Sequence, residues 1–176
     1  TASFDINLDR FGGVLPALNN LGSFSLQPSA TARFWQTLYT WDNLATGNNY
    51  DANYTYFTAA GVQTTSLAGP AWDALNLNTW YRQSTTWDFN TNQILSVSID
   101  NLHDANPATV VDVSGLGWYL AGGATPTGGF PTDVRFFAGG GAESKRSGVF
   151  VSSIPELSIS ALDFLRVPPC PPCPPC

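Results

Sequence analysis

Apolar side chains recur at every second position in short runs along this chain, and turn-forming residues divide the runs. Phe4, Ile6 and Leu8 alternate with Asp5, Asn7 and Asp9, and Leu95, Val97 and Ile99 alternate with Ser96 and Ser98. Successive side chains of a strand point to opposite faces, so this period of two predicts half-buried strands rather than helices. It predicts Leu95, Val97 and Ile99 pointing inward.

The other runs follow the same logic. Thr31 to Trp41 carries apolar or aromatic residues at both parities, with Phe34 and Leu38 on one face and Trp35, Tyr39 and Trp41 on the other, as in a strand covered on both sides. Asn53–Thr58 and Gly61–Leu67 read as a pair around Ala60-Gly61, and Thr79–Trp87 and Gln93–Asp100 as a hairpin around Asp88-Phe89-Asn90-Thr91-Asn92. Further strands are expected at Thr109–Val113, Gly117–Ala121, Asp133–Phe137 and Gly148–Ser152. One helical turn is expected at Asp73–Leu77 or Val14–Asn19.

Composition narrows the class. Charged residues make up 11% of the 176 residues, with one Lys (Lys145) and two Glu (Glu143 and Glu156), whereas hydrophobic residues make up 43%. Long surface helices draw on Lys and Glu, and strands draw on hydroxyl and β-branched residues. The expected fold is therefore all-β: an antiparallel β-sandwich of jelly-roll type over residues 1–154. A C-terminal extended strand and a polyproline-II-like tail follow over residues 155–176, with the boundary near Pro155. A net charge of −6 removes the basic footprint that nucleic-acid binding requires. No apolar run is long enough to span a bilayer.

Catalytic constellations are sparse. A glycosidase needs two facing carboxyl groups, and neither Glu143 nor Glu156 has an acidic partner at strand spacing. The single histidine, His103, lies in an Asp/Asn-rich turn, and no Gly-x-Ser-x-Gly elbow accompanies it. Gly139–Lys145 lacks the Gly-Lys-Ser/Thr ending of a phosphate loop. The expectation is a protein that is not an enzyme and that has no cofactor apart from structural calcium.

Calcium takes oxygen ligands from loop Asp and Asn residues, which also favour turns for backbone reasons alone. Two groups offer them: Asp42 and Asp51 with the asparagines between them, and Asp100 with Asp104. Asn53-Tyr54-Thr55 is an N-glycosylation sequon, so Asn53 is a candidate glycan site. Trp35, Trp41, Tyr54, Tyr56, Trp80 and Trp87 are candidates for stacking on sugar rings, although rings of this size more often fill a core.

The three cysteines all lie in a Pro-Pro-Cys repeat at the C-terminus. In polyproline II, with three residues per turn and about 3.1 Å of rise per residue, Cys170, Cys173 and Cys176 form one row at roughly 9 Å intervals. Disulfides need Cα atoms about 4.4–6.8 Å apart, so neighbours in an extended tail cannot pair with each other. They are candidate inter-subunit cross-links; a zinc knuckle or a plain linker are the alternatives. Leu157, Ile159 and Ala161 alternate just before the tail and are candidates for strand addition to another subunit.

Asp133-Val134-Arg135-Phe136-Phe137-Ala138-Gly139-Gly140-Gly141, followed by Val149 to Glu156, resembles the last two strands of PEP-CTERM-type secreted bacterial surface proteins. Trp80-Tyr81-Arg82 to Ile99 is similar to the central hairpin of concanavalin-like jelly rolls. The resemblance implies export and a cell-surface or matrix role. The reading from sequence is thus an extracellular structural protein that associates with other copies of itself into a surface, matrix or filament assembly. The alternative is a carbohydrate-binding jelly-roll module without catalysis, with polysaccharide as its partner. Nucleic acid and a membrane span are not expected.

Overall fold

The computed structural model describes residues 1–10, 20–27, 34–42, 49–126, 131–138 and 147–150. Eleven strands make up nearly all of its regular structure: β1 (Ala2–Arg10), β2 (Asn20–Gln27), β3 (Trp35–Trp41), β4 (Asn49–Phe57), β5 (Gln63–Ser66), β6 (Leu75–Asn76), β7 (Tyr81–Asp88), β8 (Gln93–Asn101), β9 (Thr109–Asp112), β10 (Asp133–Ala138) and β11 (Ser147–Phe150). The first sheet has the order β11-β1-β7-β8-β9, and the second has β10-β2-β3-β4-β5 with β6 beside β4. All pairings are antiparallel. Partners such as β1 and β7, or β2 and β10, come from distant parts of the chain, as the jelly-roll expectation requires. The proposed boundary at Pro155, the extended strand and the tail lie outside the described residues.

The two sheets pack face to face because each strand offers one apolar face. Phe4, Ile6 and Leu8 of β1 are buried against the second sheet, and the Phe4 and Phe24 rings approach to 4.3 Å. Trp35 is fully buried at the centre, edge-on to Trp87 at 5.1 Å and to Phe24 at 5.8 Å. Edge-to-face packing sets the positive rim of one ring against the negative face of another. Burying each side chain of this size contributes about 1.5–3 kcal/mol, so a core this aromatic is the main stabiliser of the sandwich.

The β7–β8 hairpin forms where expected, but its register corrects one assignment. Thr86 pairs with Ser96 and Trp87 with Ile94, which leaves Leu95 as an extra residue on β8. This bulge moves Ile94 into the core, fully buried, and leaves Leu95 half-exposed. Leu95 is nonetheless anchored, since its carbonyl accepts the Val113 amide at 2.9 Å.

Two other local expectations change. Asp73–Leu77 is not a helical turn: a 3-10 turn covers Pro70–Trp72, and Leu75–Asn76 pair with Tyr50 and Asn49 as β6. Pro70 opens that turn, where its fixed φ and missing N–H cost nothing. Val14–Asn19 lies outside the described residues. The sequence reading also passed over β2, whose Phe24 and Leu26 alternate with Ser23 and Ser25.

Gly117–Ala121 is not a strand within either sheet but a clamp between them. Tyr119 exchanges backbone hydrogen bonds with Phe57 of the second sheet, at 2.9 and 2.8 Å. On either side of it, the Trp118 carbonyl accepts from Ile94 and the Leu120 amide donates to the Asn92 carbonyl, at 2.9 Å each.

Candidate functional site

The outward faces of the two sheets are built differently. On the first sheet, Ser3, Ser84 and Ser98 stand opposite one another across β1, β7 and β8, continuing to Val110 on β9. All three serines are half-buried, and Ser3 and Ser84 share a hydrogen bond of 2.7 Å. The next outward row is Asp5–Arg82–Asp100. The Arg82 guanidinium donates to both oxygens of Asp5, at 2.7 and 2.9 Å. Asp100 adds charge on the other side of Arg82, and the guanidinium pKa is raised, chiefly by the hydrogen bonds to Asp5. This face satisfies much of its own polarity.

On the second sheet, the register sets Arg135, Ser25, Gln36, Thr55 and Thr65 in one row across β10, β2, β3, β4 and β5. Its two ends are exposed, yet Ser25 is 3% exposed, Gln36 4% and Thr55 3%. These side chains point away from the opposing sheet, as Trp35, Thr37 and Tyr39 take the inward positions. The middle of this row is closed to solvent, whereas the matching serine row of the first sheet stays half-open.

The middle of the row is neutral and incompletely bonded. Gln27 donates to Ser25 Oγ at 3.0 Å, Thr55 and Thr65 share a hydroxyl contact of 3.2 Å, and Asn53 donates to Thr40 at 3.0 Å. The carboxamide oxygens of Gln27 and Gln36 are buried without a hydrogen-bond partner among the described residues. A buried acceptor left unpaired costs about 1–3 kcal/mol. The second row beside them is Ser23, Leu38 and Asn53.

The acidic residues named from the sequence divide. Asp42 and Asp51 converge at the end of β3 and β4, and Asp73, which sequence reasoning missed, joins them: ligand oxygens of the three lie within 4.8 Å of one another. Asp51 Oδ1 accepts the Ala74 amide at 3.1 Å, and Asn49 donates to the Ala74 carbonyl at 3.1 Å. Partial burial, with Asp42 and Asp73 nearby, raises the Asp51 pKa. Three such carboxylates offer oxygens to one hard cation. Asp100 and Asp104 are not part of this cluster. Asp100 flanks Arg82, and Asp104 accepts the Asn106 amide at 2.9 Å in a turn. Asp73 had no spacing signal, because only the β4–β6 pairing brings it to Asp51.

Of the aromatic candidates, Trp35, Trp41 and Tyr54 are core residues, and Tyr56, Trp80 and Trp87 are half-buried. Tyr54 accepts the Trp72 indole N–H at 2.9 Å, and Tyr56 stacks on Trp118 at 4.3 Å. Burial pushes the phenols of Tyr39, Tyr50 and Tyr54 up, which keeps them protonated. Asn53 lies on the outward face of the second sheet, part-buried in mid-strand. Cys170, Cys173, Cys176, Leu157, Ile159 and Ala161 lie outside the described residues.

The fold is an antiparallel β-sandwich whose second sheet carries a neutral polar row on its outward face. No family model matches the chain, and no curated protein matches it. Among solved structures, it is similar to the crystal structure of the alginate lyase from Klebsiella pneumoniae, with 16% identity and a TM-score of 0.36. The match covers 80% of this chain and spans 59% of that one. That neighbour is an enzyme, so the expectation that this chain is not an enzyme is withdrawn. At this distance the likeness assigns no reaction to the chain.

Proposed function

We propose that the protein recognises a polysaccharide on the outward face of the second sheet. The supporting observation is the neutral polar face that strand register builds there, which opens to solvent at Gln63 and Thr65 of β5. Sugar hydroxyls both donate and accept, so they match a face of amides and hydroxyls. An extracellular setting, where polysaccharide is met, goes with this reading.

Affinity electrophoresis through polysaccharide-containing gels tests it, with release of reducing ends or unsaturated products followed in parallel. The expected result is retardation by at least one polysaccharide, weakened by Thr65→Arg at the exposed end of the row. Migration unchanged across neutral and acidic polysaccharides would sink the reading. Product release would extend recognition to cleavage.

A second reading, self-association, is favoured by one specific feature. The edge strand β9 exposes Val110 at 66%, and Leu116 is 60% exposed in the turn that follows it. Sedimentation of the full chain under reducing and oxidising conditions tests it; a monomer in both rules it out.

A further inference from the structure

Resting on the self-association reading and not on the polysaccharide one, we infer that the free edge of β9 pairs antiparallel with β9 of a second copy, about a two-fold axis. Strand β9 ends the first sheet, and β8 is its one neighbour among the described strands. The Val113 amide bonds to the Leu95 carbonyl, and Val111 stands opposite Val97. Backbone groups of an antiparallel ladder alternate in direction, so those of Val110 and Asp112 point away from β8. Every residue from Leu102 to Val110 is exposed, and so is Asp112. Edge strands are commonly guarded by Lys, Pro or an inward-pointing charge. Thr109–Asp112 contains none of these, because Asp112 stands on the outward face beside Ser96.

Two observations make a second copy the occupant. Apolar surface is concentrated here: among the described residues five large apolar side chains are exposed, and Leu102, Val110 and Leu116 of these form or flank this edge. The edge is also complementary to itself. Centring the two-fold on Val110 makes Val110 and the partner's Val110 a hydrogen-bonded pair, with their side chains together on the outward face. Asp112 then meets the partner's Ala108 and not another carboxylate. The same register brings Leu116, in the turn after β9, to the same end of the pairing as the partner's Leu102. An isologous contact requires this reciprocity. An edge of four residues buries less than about 1,200 Å² in total, the small end of specific interfaces, so the dimer is a weak one. The charge of −6 on each copy opposes the encounter, and salt should tighten it.

The test is sedimentation equilibrium of the full chain under reducing conditions, over a range of concentrations and at low and high salt. A monomer–dimer equilibrium is expected. Val110→Lys should weaken it by about tenfold or more, because the two-fold sets the new charges directly opposite each other. The side chain is exposed, so the monomer should keep its thermal unfolding midpoint. Cross-linking keeps the test decisive. With Cys170, Cys173 and Cys176 changed to serine, Val110→Cys should form a disulfide-linked dimer under mild oxidation. A hydrogen-bonded antiparallel pair sets its Cα atoms about 5.5 Å apart, within the range of about 4.4–6.8 Å that a disulfide needs. Ser96→Cys in the same background, on the same face but one strand further in, should not link.

A dimer that Val110→Lys leaves unchanged, with no cross-link through Val110→Cys, overturns the β9 edge as the site and leaves self-association standing. A dimer that disappears when residues 156–176 are deleted makes the C-terminal segment the occupant, and the β9-to-β9 pairing falls. A monomer at every concentration and salt overturns self-association and this inference together.

Discussion

Tyr39 donates its hydroxyl to Gln83 Oε1 at 3.2 Å, a hydrogen bond that crosses from the second sheet to the first between residues 44 apart. Tyr39 is 1% exposed and Gln83 fully buried, so neither can turn to water. Interior polar bonds of this kind matter most when half of one is lost. Gln83 Nε2 already lacks a partner, which makes this part of the core sensitive to further unpaired atoms.

Tyr39→Phe leaves Gln83 Oε1 unpaired in the core and is expected to cost about 1–3 kcal/mol. Adding Gln83→Leu removes both partners and should recover part of that loss. Urea unfolding of the two single variants and the double variant measures this. Strictly additive losses would mean that the bond contributes nothing of its own.

Asn92 holds the sheet-bridging segment with one side chain. Its carboxamide donates to the Gly123, Ala121 and Leu120 carbonyls at 2.8, 3.0 and 3.3 Å, while its backbone sits at φ +57°. Asn tolerates that conformation better than other non-glycine residues. Asn92→Asp keeps the shape but cannot donate, so it should destabilise by about 2 kcal/mol or more. Gly123→Ala should be at least as damaging. A Cβ there would lie 2.5 Å from the Ala59 oxygen and 2.6 Å from the Gly61 nitrogen, at φ +71°. Thermal unfolding of both variants checks this; unchanged midpoints would show that the clamp is not stabilising.

Asp51 predicts a pH dependence. Its pKa in the fold is raised above the ordinary carboxylate value of 3.8, by burial first and then by Asp42 and Asp73. A raised value means that the folded state holds the proton more tightly than the unfolded one. The contribution to stability is therefore fully present below about pH 3.8 and is lost as pH rises through the folded value. At neutral pH the three carboxylates repel, and Asp73→Asn should raise stability by less than about 1 kcal/mol, since the site is largely open to solvent. Unfolding followed from pH 4 to pH 7 should show a flatter profile for Asp73→Asn than for the wild type. An equal slope in the two proteins would exclude this origin.

Arg82→Ala strands the Asp5 carboxylate, whose side chain is 6% exposed, beneath an unmatched surface. The loss should be about 1–3 kcal/mol. Arg82→Lys should recover only part of it, because an ammonium cannot reproduce the paired contacts at 2.7 and 2.9 Å. Chemical denaturation of the two variants decides, and full rescue by Lys would show that charge alone suffices.

Much of the fold was legible because the period of two is a local signal, written into adjacent side chains. Phe4–Leu8, the β7–β8 hairpin and the β4–β5 pair were all placed from runs of a few residues. The misses have local causes too. β2 was passed over because Gly22, Ser23 and Ser25 weaken its alternation and resemble loop composition. Leu95 was assigned inward because a bulge leaves the pattern of residues unchanged while shifting their facing.

The chain's own residues determined that it folds as an all-β sandwich around aromatic side chains, without a basic surface. Tertiary structure alone decided the polar row on the second sheet. Ser25, Gln36, Thr55, Thr65 and Arg135 are each unremarkable in sequence, and only strand register sets them in one line. The same holds for Asp73 beside Asp51. Alternation depends on neighbours along the chain, whereas a site on a sheet face depends on pairings between residues tens of positions apart, which no short stretch of sequence encodes.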